Sequence, residues 1–166
     1  MAVTWTAFPL HPETPDEGQT LEDLFAGQSM DIPQMIAYLR KTASGLGLPF
    51  GDRQYTYNSR KAQELGKWAE ALGQGDRFHH AAFSAYFADG KNIADLYVLA
   101  DIADSARLPG NEVADIIESG RFSLAVDKDW QRSEDLGIRV VPTFRRQGRK
   151  LEGAKSYEAL LRFVQA

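Results

Sequence analysis

The segment Gly137-Ile138-Arg139-Val140-Val141-Pro142-Thr143-Phe144 constrains this chain more than any other, taken together with the complete absence of cysteine. A β-branched run meets a proline and continues as Thr143-Phe144. Proline donates nothing to a sheet ladder and is kept out of strand interiors. A proline at the mouth of such a strand is a candidate cis residue, held by its surroundings. The chain must therefore carry a strand that opens on a fixed bend. It must do so without disulfides, thiolate catalysis or a zinc–thiolate site.

The 166 residues suit one domain of ordinary size, or a small core with one insertion. Hydrophobic residues make up 43% and charged residues 25%, the balance of a soluble globular protein. The formal charge of -4 lacks the basic field that nucleic-acid binding draws on, so no nucleic-acid partner is expected. No apolar run reaches membrane-spanning length, and the N-terminus has neither a basic n-region nor an apolar h-region. No membrane association is expected, and the simplest compartment is the cytoplasm.

Along the chain, Val3, Trp5 and Ala7 alternate and Phe8-Pro9 closes the run, which predicts a short strand. His11 to Thr20 reads as a polar loop. From Asp31 the period becomes helical. Asp31 with Gln34 resembles a capping box, and Ile32, Met35, Ile36 and Leu39 share a face. A second helix starts at Asn58 or Ser59 and carries Ala62, Leu65, Ala69 and Leu72, ending at Gly73. A third runs from about Arg77 through Phe83, Tyr86 and Phe87 to Gly90. A fourth begins near Asn92 and is predicted to bury Ile93, Leu96, Tyr97, Leu99, Ala100 and Ala103. Asn111 opens a short helix with Val113, Ile116 and Ile117. Another runs from about Phe122 to Leu136. The period then returns to two, with Gln147-Gly148 as a hairpin turn. A last helix, capped by Ser156, places Tyr157, Leu160, Leu161 and Val164 on one face.

Five segments in order resemble the DsbA family of thioredoxin-fold proteins, especially its FrnE-like subgroup and the related 2-hydroxychromene-2-carboxylate isomerases and kappa-class glutathione transferases. They are Trp5 to Pro12, Asn58 to Leu65, Phe83 to Ile93, Gly137 to Phe144, and Gly153-Ala154. The resemblance implies an α/β fold: a thioredoxin-like core from residues 1–30 and 137–166, with an all-helical insertion at 31–136. Two departures stand out. The family's opening strand and helix, which carry Cys-x-x-Cys or a serine, have no counterpart here, so the core is expected to be incomplete. Val140 stands where the family has glycine, and a β-branched residue tolerates positive φ poorly.

A sheet lacking its first strand leaves unpaired edges. Three remedies are open: the Val3–Ala7 strand pairs with Pro142–Arg145, a second protomer fills the gap, or another chain does. A homodimer through the exposed edges is the expectation. The family's ancestral activity is protein-disulfide oxidoreduction, which needs a sulfur nucleophile. This chain is therefore expected to be redox-inactive by itself, with no catalytic and no metal-ligating residue. The resemblance implies that it binds a peptide or a glutathione-like thiol at Val141, Pro142 and Thr143, with Tyr86 as a further ligand residue. No cofactor is expected, glutathione being left open. Two alternatives stand beside this: a glutathione-dependent isomerase or transferase whose nucleophile comes from another chain, and a plain interaction module using its open edges.

Other groups have plainer readings. His79 and His80 are adjacent on a helix and do not share a face, so they make no metal pair. Arg145, Arg146, Arg149 and Lys150 read as hairpin charge protecting an edge, or as a seat for an anion. Asp127, Asp129, Glu134 and Asp135 read as a solvated helix face. Ser119 and Ser156 lack activating partners and read as helix-end residues. Phe78, Phe83, Phe87 and Trp68 read as core.

Overall fold

The structure is a computed structural model that describes residues 3–165. Met1, Ala2 and Ala166, which end the two expected core segments, lie outside the described residues. The chain forms two compact units, one from Pro9 to Val126 and one from the remainder, Asp127 onward with the segment ending at Phe8.

The Pro9–Val126 unit is mostly helical. Its strands β1 (Gln19–Thr20) and β2 (Tyr55–Thr56) pair antiparallel, Gln19 with Thr56 and Thr20 with Tyr55. This ladder corrects the reading of His11–Thr20 as wholly loop. The rest of that loop is pinned by side chains of later segments. Asn58 donates to the Thr14 carbonyl at 2.7 Å, Asn92 donates to the Asp16 carbonyl at 2.9 Å, and Lys61 pairs with the Asp16 carboxylate at 2.6 Å.

Helix α1 (Leu21–Leu24) is capped by Thr20, and α2 (Ile32–Gly45) by Asp31, whose carboxylate accepts the Gln34 N–H at 2.9 Å. Then come α3 (Arg60–Ala71) and α4 (Gly75–Phe83). The latter runs on into a π-helical turn at Ser84–Ala88. Helix α5 (Leu96–Ser105), a 3₁₀ turn (Gly110–Glu112) and α6 (Val113–Glu118) follow. The core gathers Leu65 and Ala69, Phe78, Leu99, Ile102 and Ala103, and Val113 and Ile116, so α3, α4, α5 and α6 share one apolar centre. A buried ionic group seals it at one side: Glu64 accepts from Arg60 at 2.7 Å and from the Ser123 hydroxyl at 2.9 Å.

Periodicity misplaced several side chains. Tyr97 is 87% exposed because it lies two residues, about 200° around the helix, from the buried Leu99. Leu96 and Leu72 are also exposed, each at an end of its helix beyond the packed turns. No residue of α2 is buried, so its apolar stripe is covered only in part.

The other unit contains the end of helix α7 (Ser123–Asp135) and the hairpin of β3 (Thr143–Arg146) and β4 (Arg149–Glu152). It closes with helix α8 (Tyr157–Gln165). A glycine at positive φ, Gly137, ends α7, with the Ile138 N–H returning to the Ser133 carbonyl at 2.9 Å. The predicted turn at Gln147-Gly148 is present, both residues at positive φ as a two-residue hairpin requires. Ser156 caps α8 through the Ala159 N–H, and the Glu158 carboxyl is held below its ordinary range by its own backbone N–H and by Ser156. The buried residue of α8 is Phe163, beneath the Arg149 guanidinium at 5.3 Å, whereas Tyr157 and Leu161 are exposed.

Val3–Ala7 is not a strand. The Ala7 N–H donates instead to the Asp129 carboxylate at 2.9 Å, so a side chain takes the donor that a ladder would have used. The pairing of this segment with Pro142–Arg145, the first of the three remedies, is therefore absent. Asp129 is correspondingly not a purely solvated charge. Among the described residues no helix is long and apolar enough to cross a membrane.

Burial predicts the response to truncation. Leu99→Ala should lower the unfolding free energy by about 3 kcal/mol. Leu72→Ala should stay within about 0.5 kcal/mol of the parent. Denaturant titrations of the two variants check both values.

Candidate functional site

The expected ligand residues Val141, Pro142 and Thr143 lie where the chain enters β3, and the Val141–Pro142 peptide bond is cis. Val140 and Val141 are exposed, and neither is at positive φ. A valine at position 140 is thus accommodated without left-handed backbone. The Thr143 hydroxyl donates to the Val140 carbonyl at 2.6 Å and closes the bend.

Register decides which backbone groups are free. The Gly153 N–H donates to the Pro142 carbonyl at 2.8 Å. Bonded and non-bonded pairs alternate in an antiparallel ladder. Phe144 with Leu151 and Arg146 with Arg149 are then the bonded pairs, and the N–H and C=O of Thr143 and Arg145 turn away from β4. Among the described residues no other strand lies along that edge.

The side chains around the hairpin are strongly basic. From Ile138 to Glu152 the chain carries Arg139, Arg145, Arg146, Arg149 and Lys150 against one carboxylate, Glu152, which pairs with Thr143 across the hairpin. Lys150 is committed to the end of α7, donating to the Leu136 and Gly137 carbonyls at 2.9 and 3.3 Å. Arg149 stacks on Phe163. Arg139 and Arg145 are exposed.

Tyr86, the fourth expected ligand residue, belongs to the Pro9–Val126 unit and to a different cluster. The π-helical turn brings Tyr86 and its neighbour Phe87 both against Arg53, whose guanidinium carbon lies 4.7 and 5.4 Å from the two ring centres. Arg53 also donates to the Tyr86 hydroxyl, which shares a second hydrogen bond of 3.1 Å with Thr56. Gly51 makes this approach possible. Its N–H donates to the Phe87 carbonyl at 2.9 Å, and a Cβ there would sit 2.2 Å from the Ala88 carbonyl oxygen. A pocket of about 120 Å³ opens beside the cluster, lined by Asp52, Arg53, Gln54, Tyr55, Tyr57, Tyr86 and Gly90. Sequence reasoning found Tyr86 and passed over Arg53. The available signal was a lone arginine set two and four residues before Tyr55 and Tyr57.

The remaining groups take structural roles. His79 stacks on Phe83 and meets Glu70 at 3.3 Å, while His80 is exposed. Among the described residues no group of histidine, cysteine, aspartate and glutamate is placed to hold a metal. Ser119 donates to the Ile116 carbonyl at its helix end. Phe78 and Trp68 are core, but Phe83 is 47% exposed, which corrects its assignment there.

The family model described as a DSBA-like thioredoxin domain matches residues 1–165, and the chain belongs to that family. Two solved structures share its fold. One, described as a probable DsbA oxidoreductase from Streptomyces coelicolor, superposes with a TM-score of 0.83 at 23% identity, over 93% of this chain and 70% of that one. The other, described as a "putative protein disulfide isomerase" from Nitrosomonas europaea, gives a TM-score of 0.66 at 15% identity, over 80% of this chain and 71% of that one. No curated protein matches. The fold is thus the thioredoxin-like DsbA fold, on a chain with no cysteine.

The Arg53 cluster makes a stability prediction. Tyr86→Phe removes the acceptor of Arg53 and the partner of Thr56 while keeping the ring. It should cost about 1–2 kcal/mol in denaturant unfolding. Gly51→Ala should also destabilise, because the backbone at Ala88 must move; a melt no lower than the parent's would contradict the close approach.

Proposed function

We propose that this chain acts as a peptide-binding domain of the DsbA-like family, without thiol–disulfide exchange chemistry of its own. Exchange proceeds by thiolate attack on a disulfide, and none of the 166 residues is a cysteine. What supports binding is the outward edge of Thr143 and Arg145, whose N–H and C=O groups have no strand partner among the described residues. An extended peptide adds to such an edge through main-chain hydrogen bonds, and pockets or charges beside it choose the sequence.

The charges favour an acidic peptide. Five cations against one carboxylate, Glu152, between Ile138 and Glu152 set a net positive field on a chain that is negative overall. The same field counts against the expected homodimer through this edge, since like charges set opposite each other across a ladder repel. The proposed partner is therefore an extended acidic segment of another protein, read mainly through backbone.

Fluorescence anisotropy with labelled peptides tests this. An extended acidic peptide should bind at least about tenfold more tightly than a basic one at low salt, a difference of about 1.4 kcal/mol. The preference should shrink as salt screens the field. N-methylation at alternate residues of the peptide should abolish binding by blocking the edge. Insulin reduction should stay at background. Equal binding of acidic and basic peptides would remove the charge argument, and no binding of any extended peptide would remove the reading altogether.

A further inference from the structure

The pocket at Arg53 belongs to the Pro9–Val126 unit, and its reading is independent of the peptide reading. Its central feature is a cation without a counter-charge. A guanidinium carries five N–H donors in a planar fork. Among the described residues the one acceptor for them is the Tyr86 hydroxyl, and the Nε of Arg53 is shut off from solvent with no partner. The carboxylate next in sequence, Asp52, is 86% exposed and paired with Arg40. Buried donors and charges are normally matched by an acceptor or a counter-ion.

The surroundings hold the fork in one orientation. Tyr86 and Phe87 both pack against the guanidinium. Tyr57 stands edge-on to Tyr86 at 6.5 Å and stacks with Tyr55 at 6.3 Å, so the wall of the pocket is aromatic. Cation–π contacts use the arginine's faces and leave its in-plane hydrogens for an acceptor. The space of about 120 Å³ suits a single carboxylate or phosphate group rather than a whole cofactor.

We propose that this pocket is a binding site for a small oxyanion, a carboxylate or phosphate group seated on the Arg53 guanidinium between the tyrosines. A planar fork meets such groups through paired, charge-assisted hydrogen bonds. Tyr86 is on this view a positioning residue: its hydroxyl and ring fix the arginine.

An NMR titration tests the site on the whole chain. The Arg53 Nε–H resonance, assigned by its loss in Arg53→Lys, is followed as inorganic phosphate or acetate replaces chloride at constant ionic strength. A saturable shift with a Kd below about 10 mM is expected for at least one oxyanion, and Arg53→Lys should weaken binding about fivefold or more, since an ammonium lacks the fork. Saturation by phosphate alone assigns a phosphate site, by acetate alone a carboxylate site, and by both a general oxyanion site. If Arg53→Lys does not fold, Gln54→Arg serves as a second variant: a cation added to the pocket lining should tighten oxyanion binding. A shift that grows linearly with either ion up to about 50 mM, or that chloride reproduces, would overturn the proposal, because surface screening alone gives that behaviour.

Discussion

Everything in the Pro9–Val126 unit leans on the close packing of α5. Leu99 and Ala103 along it, and Ala106 just past its end, are fully buried, and two of the three are alanines. Small residues let α4 and α6 approach closely, and dispersion attraction at that range is what holds the bundle. The Glu64–Arg60–Ser123 group then fixes the starts of α3 and α7 relative to this centre. Its charges are hydrogen-bonded throughout, as burial demands. Tied to the bundle by the Gly51–Phe87 hydrogen bond, the loop through Gly51 and the π-helical turn hold an arginine against two aromatic rings.

The unit built on the hairpin is held differently. On α8 the buried large side chain is Phe163, and several of the unit's contacts are capping contacts: Gly137 ending α7, Lys150 on the freed carbonyls, Ser156 starting α8. Such contacts fix direction without covering much apolar surface. Tyr157, Leu161, Val140 and Val141 stay exposed as a result. The backbone edge at Thr143 and Arg145 follows from the size of the sheet: a two-stranded ladder satisfies one side of each strand and leaves the other side to solvent or to a partner.

Local signals were legible in the sequence wherever one or two residues decide the geometry. Asp31 caps α2, Gly137 ends α7 and Gln147-Gly148 turns the hairpin, each through a short-range steric or hydrogen-bonding preference. Failures came where a distant group won. Val3–Ala7 alternates like a strand, yet Asp129, 122 positions from Ala7, takes its N–H. Tyr97 and Leu72 carry apolar surface that no neighbour reaches. Of the candidate site, Val141, Pro142 and Thr143 were visible through the proline, and Tyr86 through resemblance. Arg53 was passed over because the partners that give it meaning lie 33 and 34 residues away.

By itself, then, the sequence determined what chemistry is closed to these 166 residues and where the chain bends, caps and turns, since both depend on residue identity and near neighbours. Tertiary structure alone decided which edge of the hairpin is open, which apolar side chains find cover, and that Arg53 meets Tyr86 and Phe87. The reason is physical: register, burial and the pairing of a charge are properties of distances between remote segments, and no local pattern encodes those distances.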